Sequence, residues 1–269
     1  MTPENNVFAV ITGASSGIGK ALAEEMASRK HNLVLHSLPN QGLSDFCTDL
    51  ESMNKIRALC CEGDMASDAG PENLLKFVKS KSLRVNILIN NAGVGFEGPI
   101  ESYSTKQIDN MIFLNIRAVT LLTSFFTPEL KTHKESYILN ISSFGAYLPT
   151  AYKSVYLASK SYLYFFTRAL ESELNGSSPK TCVVVPASVR TNQIVLDRIK
   201  RNGWFSQKLA LNPEEVAAIA VTGMFKGRRV IIPGKMSNLF FRLGLFIPEG
   251  IMLWLTRRIF ANYKQENQS

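Results

Sequence analysis

An α/β fold, a parallel sheet with helices on both faces, is predicted by three observations. Short apolar runs rich in Val and Ile alternate with longer stretches of helical period. The first run opens directly into a glycine-rich turn, and polar clusters fall just after the fourth and fifth runs. Strand then helix, repeated, gives right-handed crossovers and a sheet buried on both faces, with ligands expected at the carboxyl ends of the strands. No composition shift, Gly/Ser linker or internal repeat divides the 269 residues. One unit over 1–269 is therefore expected, with the strand and helix pattern over about 7–232 and an apolar extension over about 233–269.

The strands are read at 7–11, 33–36, 56–60, 85–89, 137–141, 181–185 and 230–232. After the first comes "TGASSGIGKALAEEMASRK", which sets Gly13, Gly17 and Gly19 ahead of a helix. Glycine permits a tight turn there and lets backbone N–H groups and the positive end of the helix approach a pyrophosphate. The spacing differs from GxGxxG, and small residues also build purely structural turns, so the turn needs a second motif. The second strand ends in "HSLPNQ", the fourth in "NNAG" and the fifth in "ISSFG", where Ser142 and Ser143 stand at the strand mouth. Such polar residues also serve as turn formers.

Thirteen residues beyond Ser143 stands Tyr156, with Lys160 four residues on in "SVYLASK". On a helix the two share a face, so a phenol and an ammonium can address one ligand. The ammonium stabilises the phenolate and lowers a pKa that is otherwise about 10, giving a poised acid and base. Tyr152, Tyr162 and Tyr164 lack a lysine four residues on and are expected to pack or to line a pocket. Further along, "LNPEEVAAIAVTGMFKG" predicts a helix capped by Asn212, with Pro213 at its first position and acids in its first turn.

Composition narrows the function. The cysteines, Cys47, Cys60, Cys61 and Cys182, have no CxxC spacing, and the three histidines no metal-ligand spacing. Neither a disulfide framework nor a metal site is expected, and a reducing cytoplasm suits the chain. Its amino terminus lacks the basic and apolar succession of a signal peptide. The net charge of +8 is spread over scattered residues with no basic and aromatic strip, so a solvated surface rather than a nucleic-acid groove is expected.

Taken together, TGxxxGxG over Thr12 to Gly19, NNAG, Asn115 within "FLNI", Ser143 and the Tyr156, Lys160 pair resemble the short-chain dehydrogenase/reductases over about residues 7–232. The resemblance implies a Rossmann-type doubly wound sheet of seven parallel strands and hydride transfer between a nicotinamide and a carbonyl or alcohol. It implies Tyr156 as general acid in reduction and base in the reverse, and Ser143 as hydrogen-bond partner of the substrate oxygen. Lys160 would hold the nicotinamide ribose and depress the tyrosine pKa, and Asn115 would fix a water in the proton relay. The cofactor positions it implies are Gly13, Ser15, Ser16, Gly17, Ile18 and Gly19 in the first turn, and Ser37 and Leu38 after the second strand. Asp64 and Met65 at the adenine, and Asn91, Ala92 and Gly93 after the fourth strand, follow in the same way. Pro186, Val189 and Thr191 lie beside the carboxamide, with Tyr156 and Lys160 at the ribose. The family's usual Pro-Gly after the sixth strand is Pro186-Ala187 here, which restricts that turn.

NAD selection in this fold relies on an acid at the end of the second strand. Ser37 and Leu38 supply neither acid nor arginine, and Ser15, Ser16, Ser37 and His36 offer partners for a 2′-phosphate, so NADP(H) is favoured and NAD(H) is left open. The segment after Thr191 holds Trp204 and Phe205 where a substrate lid is expected. The apolar tail is broken below membrane-spanning length by Arg242, Pro248 and Glu249, with a helix expected over 251–263. It reads as a flap on the domain or on a partner subunit, as a pocket wall, or as an interfacial membrane anchor. The tail is similar to that of the family branch holding 3-oxoacyl, sphingoid-base and steroid ketone reductases. A reductase of a bulky hydrophobic ketone follows as the expectation, beside an NAD-dependent alcohol dehydrogenase and a non-catalytic dinucleotide-binding redox sensor. The family's frequent homo-oligomers, formed through the helices bearing Asn115 and Tyr156, are implied as well.

Overall fold

The computed structural model describes residues 6–147, 149–201 and 207–244, together with 250, 251, 253, 254 and 258. Seven parallel strands form one sheet: β1 (Val7–Thr12), β2 (Asn32–Ser37), β3 (Ala58–Glu62), β4 (Arg84–Asn90), β5 (Tyr137–Ile141), β6 (Lys180–Val184) and β7 (Val230–Ile231). Their spatial order is β3-β2-β1-β4-β5-β6-β7. The chain reverses its direction of growth between β1 and β4, where successive loops part and leave a crevice at the strand ends.

Helices cover both faces. Along β1, Ala9 and Ile11 point into one core layer with α1 (Gly17–Ser28), α2 (Leu43–Asn54) and α8 (Pro213–Phe225). Phe8 and Val10 point into the other, with α3 (Gly70–Ser80), α5 (Val119–Leu130) and α6 (Ser154–Leu174). This alternation makes a strand buried on both sides read as an unbroken apolar run. A helix α4 (Thr105–Ile112) continues through a single wide π turn, Phe113–Ala118, into α5. Thr105–Leu130 is long and apolar enough to cross a membrane by length and composition. Here its Met111, Asn115, Leu122 and Phe126 are buried inside the fold.

The third strand begins two residues later than expected, at Ala58 rather than residue 56. Lys55 ends α2 in the left-handed region, at φ 56°, and the Arg57 N–H is taken by the Asn32 side chain at 3.0 Å, so the ladder starts only at Ala58. At α8, Glu215 reaches back to the Asn212 N–H at 2.9 Å, which completes the capping expected there. The remaining helices are α7 (Gln193–Arg201) and α9 (Lys235–Gly244). On α9, Met236, Leu239 and Leu243 are exposed, while Phe241 packs edge-on against Tyr147, ring centroids 4.4 Å apart. Trp204 and Phe205 lie outside the described residues, and of the helix expected over 251–263 only Ile251, Leu253, Trp254 and Arg258 fall within them.

Candidate active site

The glycine turn is built as a cradle. Gly13 and Gly17 hold positive φ, and a Cβ on Gly19 would stand 1.9 Å from the Gly13 carbonyl oxygen. Only backbone without side chains fits at that crossing. The Ala14 N–H donates to the His36 carbonyl at 2.9 Å, whereas Ser16 enters α1 extended with no side-chain cap and no acid stands in the first turn, so the leading N–H groups of α1 are left for an anion. Ser15 and Ile18 are half-buried on either side. A turn with glycine at 13, 17 and 19 and no carboxylate suits a dinucleotide pyrophosphate.

Loops from three other strands converge on it. The Thr12 hydroxyl accepts the N–H groups of Asn91 and Ala92, each at 3.1 Å, and Asn91 Nδ2 donates to the Thr12 and Gly13 carbonyls at 2.9 and 3.1 Å. From beyond β6, Thr191 lies against Gly17, where a Cβ would meet its methyl at 3.0 Å. Val189 bridges to Leu211, and the Pro186 carbonyl accepts from Phe144 N–H at 2.8 Å, joining the β6 end to the β5 end. At the β2 end, Ser37 is buried and donates to the Leu38 carbonyl, while Leu38 is 54% exposed. His36 is buried with Nδ1 unpartnered, and desolvation holds its pKa down at about 4 against the pull of Asp64. Asp64 caps its own turn by accepting from Ala66 N–H at 2.9 Å. Met65 is buried and packs with Val34 and Leu74 in the core layer.

The register adds a residue that the sequence did not mark: Glu62, exposed at the end of β3, pairs with Ser37. An acid therefore does stand near the β2 mouth, supplied by the neighbouring strand.

Two of the proposed catalytic residues, Asn115 and Lys160, meet at Gly93. A Cβ there would stand 3.1 Å from both Asn115 Oδ1 and Lys160 Nζ, so the loop after β4 threads between them. Asn115 sits in the π turn, fully buried, donating to Val94 O and Ser159 Oγ at 2.8 and 2.9 Å and accepting from Val94 N–H at 2.9 Å. Such single wide turns are frequent at functional positions of helices. Lys160 donates to the Ile141 carbonyl at 3.0 Å and lies 5.9 Å from the Tyr156 ring centroid. Burial pushes its pKa down to about 8. Ser143 stands at the mouth of β5, its hydroxyl facing the Gly145 N–H at 3.4 Å, and the neighbouring Ser142 hydroxyl ties β5 to the Lys160 carbonyl at 2.7 Å. The other tyrosines pack: Tyr162 shares a 2.7 Å hydrogen bond with Thr120, and Tyr164 lies edge-on to Tyr147.

A model of the short chain dehydrogenase family matches residues 7–198. A very-long-chain 3-oxoacyl-CoA reductase of Phaeosphaeria nodorum is 30% identical over 257 residues, spanning 93% of this chain and 71% of that protein. Among solved structures, a bulky-bulky ketone specific alcohol dehydrogenase from Comamonas testosteroni is 25% identical, with 91% of this chain and 96% of that one covered and a TM-score of 0.74. A short-chain dehydrogenase from Sphingobium yanoikuyae, solved in complex with NADPH, is 26% identical, covers 90% and 96%, and has a TM-score of 0.75.

Proposed function

The chain belongs to the short-chain dehydrogenase family and is an NAD(P)-dependent oxidoreductase; from that premise we propose that it reduces a bulky hydrophobic ketone with NADPH. The observation that carries the chemistry is the buried Lys160 ammonium, anchored to Ile141 O at 3.0 Å and lying 5.9 Å from the ring of Tyr156. Tyr156 donates its phenolic proton to the carbonyl oxygen, and Lys160 stabilises the phenolate left behind. Ser143 donates to the same oxygen and orients it. Asn115, held rigidly by Val94 and Ser159, keeps the loop after β4 in place for a water that returns the proton. The first-turn glycines with Ser15, Ser16 and Ile18 would hold the pyrophosphate, Asn91 to Gly93 and Thr191 would flank the nicotinamide half, and Lys160 would reach its ribose. When bound, the nicotinamide supplies the hydride in reduction and accepts it in oxidation.

Support for a bulky apolar substrate comes from the aromatic group beside Ser143. Phe144, Tyr147, Tyr164 and Phe241 stack edge to face, with α9 lending Phe241. The likeness to a bulky-ketone dehydrogenase and to a long-chain 3-oxoacyl reductase points the same way. NADPH is favoured because neither Ser37 nor Leu38 is an acid, so β2 itself supplies no carboxylate for the ribose. Glu62, paired with Ser37, favours the second reading, an NAD-dependent alcohol dehydrogenase in which this carboxylate binds the ribose hydroxyls. We further propose a homo-oligomer through α5 and α6, on which Phe165 is 64% exposed, in a reducing cytoplasm that suits the free cysteines. Contact of the apolar tail with a membrane surface is the less favoured role for that segment.

The test is loss of NADPH absorbance, with NADH in parallel, over ketones from short and polar to long-chain 3-oxo and fused-ring. Turnover of the bulky ketones that Tyr156→Phe abolishes while NADPH still binds is the expected result. Faster turnover of small polar ketones would overturn the substrate class. A tighter fit of NADH, reversed by Glu62→Gln, would move the reading to the NAD enzyme.

A further inference from the structure

We propose that the Glu97–Lys153 ion pair positions the phenol of Tyr156, by tying the loop after β4 to the residues that open α6. Lys153 Nζ and Glu97 Oε1 lie 2.6 Å apart, with side chains only 15% and 10% exposed. Two more contacts make the same junction. The Gly98 N–H donates to the Tyr152 carbonyl at 2.8 Å, and the Tyr103 hydroxyl is shared between the carbonyls of Phe96 and Tyr152 at 3.0 and 3.3 Å. At its other end the loop is fixed by Asn115, which both donates to and accepts from Val94.

Between these anchors lies Gly95, and the phenol rests on it. A Cβ there would stand 2.7 and 2.9 Å from Tyr156 Cδ2 and Cε2, closer than any side chain tolerates. The loop backbone is therefore one wall of the slot that holds the ring, and wherever the loop moves the wall moves too. Lys153 is the residue just before α6, three places from Tyr156, and Tyr152 before it holds φ 65°, a conformation that needs outside support in a residue with a Cβ. A sheltered ion pair adds little net stability, since desolvation offsets the attraction, but it fixes one register between two segments. Here the segments are the wall and the helix that carries the ring.

Charge enters as well. The charged groups on the elements packed here are Lys160 from α6, 5.9 Å from the Tyr156 ring centroid, and the Glu97 and Lys153 pair from the loop and the helix entrance, with the Tyr103 hydroxyl at the same junction, its pKa raised by burial and by the Glu97 carboxylate. Lys153 neutralises an acid that would otherwise disfavour the phenolate.

The inference rests on Tyr156 as the proton-transfer residue, and the two can fail separately. The double variant Glu97→Gln with Lys153→Met removes both charges and leaves neither one buried alone. It is expected to bind NADPH within about twofold of the parent and to turn over the best ketone of the panel roughly 10- to 100-fold more slowly in kcat, the loss that a misplacement of about 1 Å brings. In Lys153→Met alone the Tyr156 titration, read as tyrosinate absorbance against Tyr156→Phe, should rise by about one pH unit. The charge swap Glu97→Lys with Lys153→Glu should recover part of the kcat. Parent kcat in the double variant, with Tyr156→Phe inactive, would overturn the positioning role alone. Joint loss of NADPH binding and turnover would overturn it too, by making the pair a general support of the fold. Activity persisting in Tyr156→Phe would instead sink the catalytic reading itself.

Discussion

A lysine ammonium 5% exposed, with a backbone carbonyl as its hydrogen-bond acceptor, is costly to keep charged, and in the proposed mechanism the same weakly screened setting strengthens the action of Lys160 on the neighbouring phenolate. Desolvation lowers its pKa from 10.5 to about 8, so near neutrality it still carries its proton in a medium where the charge is poorly screened. The same shift is a statement about stability. Between about pH 8 and 10.5 the unfolded chain keeps a proton on this lysine that the folded chain has released, so folding gains as pH rises through that window and is flat below it. Lys160→Met has no such term. Measured by urea unfolding without nucleotide, the wild type should gain on Lys160→Met from pH 7 to pH 10, by at most about 1.4 kcal/mol per unit. A constant difference between the two proteins would show that the ammonium is better solvated than its burial implies.

At the scale of elements, the glycine turn and the loop after β4 do most of the positioning, and each has a distinct physical demand. Gly19 needs the absence of a Cβ for space, because Gly13 O is 1.9 Å from where one would stand. Gly42, at the entrance to α2, needs it only for its φ of 67°, with nothing within 4 Å. Gly42→Ala should therefore cost about 1 kcal/mol and leave NADPH affinity alone. Gly19→Ala should cost more and abolish binding, because no rotamer moves a backbone oxygen. Urea midpoints and NADPH fluorescence titrations of the two variants decide it. Equal effects on binding would mean that the turn tolerates the methyl by shifting as a whole.

These demands also explain what could be read without coordinates. Gly13 to Gly19, Asn91 to Gly93, Ser143, Tyr156 and Lys160, to which the proposed chemistry is assigned, lie in short spacings along single strand-to-helix junctions, where local sequence is enough. Strand positions were legible from Val- and Ile-rich runs, except at β3, where the apolar Ile56 belongs to the connection that unwinds α2 before the ladder begins. That slip of two residues hid Glu62, whose pairing with Ser37 exists only in the register. Glu97 and Lys153, and Phe241 with Tyr147, meet across long stretches of chain, and no local pattern marks either pair. Nor does sequence reveal the buried network in which Asn90 donates to Asn140 at 2.8 Å and Asn140 to Thr167 at 2.8 Å, locking β4, β5 and α6 behind the site.

On the scale of the molecule, the sheet order places every proposed catalytic group at one rim, while the chain after β7 returns to that rim as α9. The helix is amphipathic in an unusual sense, with Met236, Leu239 and Leu243 exposed and Phe241 turned onto Tyr147 and Phe144, just past Ser143. If α9 were only a cover, removing Phe241 would lower stability and leave catalysis unchanged for every substrate. If it forms the far wall of the substrate space, the loss should scale with substrate size. Phe241→Ala is expected to destabilise by roughly 2 kcal/mol, less than a fully buried phenylalanine would, because Phe241 is only half-buried. It should also raise KM for fused-ring or long-chain ketones about 10-fold or more, while a small ketone that cannot reach the aromatic group keeps its KM. Phe241→Leu, which retains apolar volume but not the ring, should recover stability before it recovers KM. A uniform rise in KM across the panel would show that α9 acts through the position of Ser143, and that the aromatic group shapes the site without touching what binds in it.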